Sequence, residues 1–243
     1  MAELDNPAAR ILAVLERVQP LLDQPGPALD AWQQAFDVRD PLDLPGRVAH
    51  FIQQVQLTKE LVAALPEEED SEHLSTYFRQ LDRLCNVLLG VGIYNTSEFV
   101  GSVKPELLYS LGSCSQAIRR HGGREPTIDV AGIENILSTI HDVRNEIVAS
   151  QLPHNVSLFI LRRLREVEEA VLAFKIAGYA GVEDTLDALL GGAAWRTPPG
   201  QQRPVGGWIN RVWMAIQTGT KGTATIASST QTVVESYKAI TGK

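Results

Sequence analysis

Residues 129–149, DVAGIENILSTIHDVRNEIVA, decide the fold class. Ile133, Ile136, Ile140, Val143 and Ile147 recur three or four positions apart, which gathers them on one face of a helix and on neither face of a strand. Asp129 stands before the run as a candidate N-cap. The stretch reads as an amphipathic helix whose apolar seam enters a core.

The same pattern repeats on both sides. Toward the N-terminus, Pro105 to about His121 is a helix closed by Gly122-Gly123. Before it, Leu74, Phe78, Leu81, Leu84, Cys85 and Leu88 form one seam behind the acidic start Glu67–Asp70, ending at Gly90 and Gly92. Pro45 opens a helix with Val48, Phe51, Ile52, Val55, Val62 and Leu65 on one side, and Pro66 closes it. Asn6-Pro7 is a cap with a first-turn proline for a helix to about Asp23, and Ala28 to Asp37 is a short helix. Toward the C-terminus, Pro153 interrupts and a long helix runs to about Ala177, with Ile160, Leu164, Val167, Val171 and Phe174 inward. Arg162 with Glu166, and Arg165 with Glu169, pair along its wet side. Gly178 and Gly181 bracket a turn before a short final helix, Val182 to Leu190. The expectation is an all-α fold, a multi-helix bundle or compact helical array. No fixed-period repeat suggests a solenoid.

Residues 191–207, GGAAWRTPPGQQRPVGG, hold five glycines and three prolines and read as a linker. The expected organisation is a helical domain at 1–190, this linker at 191–207, and a tethered C-terminal amphipathic segment at 208–243. The last segment has a net charge of +3 against −10 for residues 1–207. Trp208 and Trp213 open it. Val212, Ile216, Gly219, Thr223, Ile226, Thr230, Val233, Tyr237 and Ile240 form one helical stripe, although residues 218–233 could instead pair as strands or stay unfolded until bound. Trp208, Val212, Trp213, Ile216, Gly219, Ile226, Val233, Tyr237 and Ile240 are the candidate interaction or membrane residues. Three uses stay open: packing back on the body, docking on a partner protein or a second copy, and lying on a membrane surface.

The chain has 243 residues, 44% hydrophobic content and a net charge of −7, enough apolar mass for a core and a mild repulsion of nucleic acid. No DNA partner is expected. Neither a signal-type leader nor a long apolar run is present, so the expected location is the cytoplasm or the periphery of a membrane. Cys85 and Cys114 read as buried thiols of a reducing compartment. No cofactor or metal is expected. Gly90-Val91-Gly92 lacks the third glycine of a dinucleotide loop, Gly219-Thr220-Lys221-Gly222 puts its lysine too early for a phosphate loop, and Leu111-Gly112-Ser113-Cys114-Ser115 lacks the closing glycine of a nucleophile elbow. The five histidines never pair at ligand spacing.

In His141-Asp142-Val143-Arg144-Asn145-Glu146, the Arg-Asn pair resembles the start of the active-site motif of HEPN-type ribonucleases, small helical proteins of toxin and defence systems. That motif places a histidine after four to six intervening residues, where this chain has Ala149, Ser150 and Gln151. The next histidine is His154, past Pro153. The resemblance implies a degenerate HEPN-like RNA-binding or nuclease-related domain. Against it stands the principal expectation, a non-enzymatic helical interaction protein working through its C-terminal segment, with a bacterial defence or toxin setting suggested by analogy.

Overall fold

A computed structural model of the chain describes residues 4–24, 26–38, 40–67, 69–90, 103–198, 200 and 202–221. The fold is all-α, a compact helical array with one minimal strand pair among the described residues. Packing divides the chain into two units, each discontinuous in sequence. Unit 1 comprises residues 1–125 and 175–178; unit 2 comprises 126–174 and 179–243.

Unit 1 opens with α1 (Pro7–Leu22), capped as its sequence requires: the Asn6 side chain accepts from the Ala9 N–H at 3.0 Å. Pro20 lies inside α1 close to its end, where the missing N–H forgoes a single helical bond. After α2 (Ala28–Ala35) and a 3-10 turn, Pro41–Asp43, comes α3 (Leu44–Ala63). The seam expected on one helix from Leu74 to Leu88 is divided between α4 (Ser71–Leu74) and α5 (Phe78–Leu89). The cause is local. Ser75 and Thr76 hydroxyls bond back to the Glu72 carbonyl at 3.0 and 3.3 Å, competing with helical continuation. α6 (Pro105–Arg120) then packs on α1 and α3.

The unit 1 core joins Ile11, Val14, Leu15 and Val18 of α1 to an aromatic triad. Trp32 stacks on Phe36 at 5.5 Å between centroids, and Phe51 meets both edge-on at 6.2 and 5.8 Å. Beside this core lies a buried polar hub. Arg10, 1% exposed, donates to Gln54 Oε1 from Nε (3.0 Å) and Nη2 (2.6 Å), to the Leu4 carbonyl (3.2 Å) and to Glu125 (2.8 Å). Gln54 Nε2 donates in turn to the Ala177 carbonyl at 3.0 Å. Gly178 has φ +78°, and a Cβ there would stand 2.6 Å from the Arg10 guanidinium carbon, so this turn excludes other residues. Burial pushes the Cys85 and Cys114 thiols up to about 11, as befits inert core cysteines.

Unit 2 is built from β1 (Thr127–Ile128), α7 (Val130–Ala149), α8 (His154–Ala177, its last turn in unit 1), α9 (Tyr179–Arg196), α10 (Gln202–Gly219) and β2 (Thr220–Lys221). The opening seam behaves as read. Asp129 caps α7 by accepting from the Gly132 N–H at 2.7 Å; Ile136, Ile140, Val143 and Ile147 are buried, and Ile133 packs half-buried against them. The anticipated Arg162–Glu166 and Arg165–Glu169 pairs form at 3.3 and 2.9 Å.

The residues read as a linker are largely helical. α9 does not stop at Leu190 but runs through Gly191 and Gly192 to Arg196, and α10 has already begun at Gln202, which leaves a short connection of 197–201. Burial outweighs the helix penalty of about 1 kcal/mol per glycine, because Leu186, Leu189, Leu190 and Ala193 continue one buried face. Thr197 closes α9 by donating its hydroxyl to the Ala193 carbonyl at 2.7 Å. Pro204 falls in the first turn of α10, where no helical N–H bond is lost.

Candidate functional site

The part of the C-terminal stripe among the described residues, Val212 to Gly219, lies on α10. On α10, Val212, Trp213 and Ile216 are 0–5% exposed within the unit 2 core, and Trp208 is half-buried. α10 lies along α7. The Trp208 indole N–H and the Arg211 guanidinium both donate to Glu146 Oε2, at 2.8 and 2.7 Å, and together hold that carboxyl below its usual range, Arg211 contributing most. At the other end Gly219 closes against Gly132. A Cβ on Gly132 would stand 2.6 Å from the Gly219 carbonyl oxygen, and one on Gly219 would stand 3.2 Å from Gly132 Cα. Gly219 thereby admits close approach of α7 within the unit itself. The first part of the stripe is therefore core, and the tether ahead of it is replaced by packed helix.

Beyond Gly219 the chain pairs antiparallel with β1, Thr220 opposite Ile128 and Lys221 opposite Thr127. Lys221 Nζ sits 2.5 Å from Asp129 Oδ2. That ammonium, followed by the Gly132 N–H, holds the Asp129 carboxyl below its ordinary value. Of the remaining candidate residues, Ile226, Val233, Tyr237 and Ile240 lie outside the described residues.

The HEPN-like residues take structural positions. Arg144 Nη1 bonds Glu168 Oε2 at 2.7 Å, joining α7 to α8. His141 is exposed on α7, and His154 is exposed at the first residue of α8. Among the described residues no three His, Cys, Asp or Glu side chains converge as a metal site would require, and no helix is long and apolar enough to cross a membrane.

Two surface features escaped the sequence reading. In unit 1, Leu74, Tyr77, Pro105 and Tyr109 line a cleft of about 330 Å³, small for a ligand pocket but roomy for one bulky side chain. Tyr109 is 77% exposed, and Glu106 is exposed at the cleft edge. In unit 2, Trp195 is 91% exposed on the last turn of α9. Next to it the Arg196 guanidinium lies 4.2 Å from the Phe159 ring centroid, with Arg163 at 5.5 Å from the same ring. Phe159 occupies the space that a Cβ on Gly192 would fill, so this glycine admits the ring on which Arg196 rests. The sequence signal was available: Leu186, Leu189, Leu190 and Ala193 are spaced as one helix face, which carries Trp195 and Arg196 onto the helix and out of the linker.

Compared with known proteins, the chain matches no family model, no curated sequence and no solved structure.

Proposed function

We propose that this chain is a non-enzymatic helical interaction protein, and that residues 222–243 are its docking segment for a partner protein. One observation carries the reading. The stripe residues Val212, Trp213 and Ile216 are buried in unit 2, and the backbone at 219–221 is secured there by β1, Asp129 and the Gly132–Gly219 contact. The stripe continues in sequence as Ile226, Val233, Tyr237 and Ile240. A helical body that holds residues 219–221 in place, directly ahead of a further apolar stripe in sequence, suits presentation of that stripe to another protein. The engagement of Arg144 by Glu168 supports a structural role for the residue that a nuclease reading would need free.

The experiment cuts the chain after Lys221, which keeps every described core residue. Partners recovered with the full chain from its own cells are expected to be lost on truncation and displaced by a synthetic 222–243 peptide, with the thermal midpoint unchanged. Full partner retention by the truncated chain refutes the proposal. So does a truncated chain that melts several degrees lower, because the segment would then be part of the fold.

A further inference from the structure

We propose that Trp195 and Arg196 of one copy dock in the Leu74–Tyr77–Pro105–Tyr109 cleft of a second copy, the indole entering the cleft and the guanidinium meeting Glu106. The contact joins two different surfaces and so links copies head to tail. It involves none of the residues 222–243 and stands independently of the docking segment.

Each half is incomplete alone in a matching way. Trp195 leaves 91% of its surface in water at the end of a helix whose other aromatic neighbour, Phe159, is packed. Arg196 has no carboxylate partner among the described residues; its guanidinium carbon rests 4.2 Å from the Phe159 ring centroid, and the residue is exposed beside the indole. An exposed tryptophan beside an exposed arginine is the composition of interface hot spots. The cleft offers the converse: an apolar floor and two tyrosine rings, with the Glu106 carboxylate at its edge and no cation bonded to it among the described residues.

Charge selects the occupant. Unit 1 carries six more acidic than basic side chains, whereas unit 2 is nearly balanced with one more acid than base. A cationic aromatic finger therefore meets a favourable field at unit 1, and this chain supplies such a finger at the same concentration as the cleft. In the folded chain the finger is solvent-exposed, so it is available to another molecule. Because finger and cleft are different surfaces, the contact is heterologous and each copy keeps a free finger or a free cleft until a ring closes.

Sedimentation velocity of the full chain over a concentration series tests this. Association is expected to rise with concentration, and Trp195→Ala, Arg196→Glu and Glu106→Arg are each expected to weaken it about tenfold or more. All three sites are exposed, and circular dichroism confirms that the variants fold. An equimolar mixture of the Arg196→Glu and Glu106→Arg chains is expected to regain association, since one contact between them is wild type and the other has its charges exchanged. A chain that is monomeric at every concentration overturns the proposal, as does association indifferent to the three substitutions or unrecovered on mixing. Association abolished by truncation after Lys221 but unmoved by Trp195→Ala belongs to the tail and also overturns it. Flotation of a monomeric chain with anionic vesicles, lost on Trp195→Ala, would assign the finger to a membrane instead.

Discussion

Unit 1 buries an arginine, a glutamine and an asparagine beside an aromatic triad, whereas unit 2 closes over isoleucine, valine and leucine and keeps its ion pairs toward the rim. In unit 1 the polar hub spans distant parts of the sequence: Arg10 reaches Glu125, and Gln54 reaches Ala177. Asn6 donates to Ser115 Oγ at 3.0 Å, and Arg119 donates to Asp5 at 2.7 Å. Such bonds are directional and reject other arrangements, but they contribute little net stability once desolvation is subtracted. In unit 2 the α7 and α10 seams supply burial that tolerates small shifts, and two glycines set the spacing. One unit is specified by polar geometry, the other by shape.

The largest effect expected from this contrast is at Arg10. Arg10→Ala strands Gln54 Oε1, the Leu4 carbonyl and Glu125 together, and is expected to cost about 3–5 kcal/mol in urea unfolding. Arg10→Met, which fills the volume without the charge, should cost distinctly less if fit matters most, and an equal loss would show that the hub acts through its bonds. In unit 2 the sharper probe is Gly132→Ala. Helix propensity alone favours alanine by about 1 kcal/mol. The Cβ, however, would press on the Gly219 backbone, so a net loss of about 1–3 kcal/mol is expected. A stabilised variant would mean that the α7–α10 contact is not set by its glycines.

The smallest effect is electrostatic and confined to the rim of unit 2. The Asp129 and Glu146 pKa values are both depressed in the folded chain, so the stabilisation they give is present above the ordinary carboxylate range and is lost as pH falls through their lowered folded values. Carboxyl NMR titration should return Asp129 toward an ordinary value in Lys221→Ala, and Glu146 in Arg211→Ala. Unmoved titrations would remove both ion pairs from the account.

Legibility followed the same divide. Seams were readable wherever apolar spacing and a cap agreed, as at Asn6–Val18 and Asp129–Ile147. The hub was not readable, because Arg10, Gln54, Glu125 and Ala177 are ordinary residues that acquire meaning only through contacts far apart in sequence. Glycine caused the main error. By propensity Gly191 and Gly192 predict a break, yet packing of Phe159 against Gly192 and the buried Ala193 keep them helical. Gly219 stands on the expected stripe, and the residue it closes against is Gly132 of its own unit. Trp195 and Tyr109 carried no periodic signal, since an exposed aromatic lies off the seam by definition.

The four residues 175–178 bear on how the protein is made. Ile176 enters the unit 1 core, Ala177 supplies the acceptor for Gln54, and Gly178 leaves the space into which Arg10 fits. A ribosome that has delivered the first 125 residues has not yet delivered these, so the nascent N-terminal unit waits with its hub short of a partner through the synthesis of α7 and α8. Vectorial synthesis therefore cannot finish one unit before starting the other, and a fragment stopped at residue 125 should be a client for chaperones.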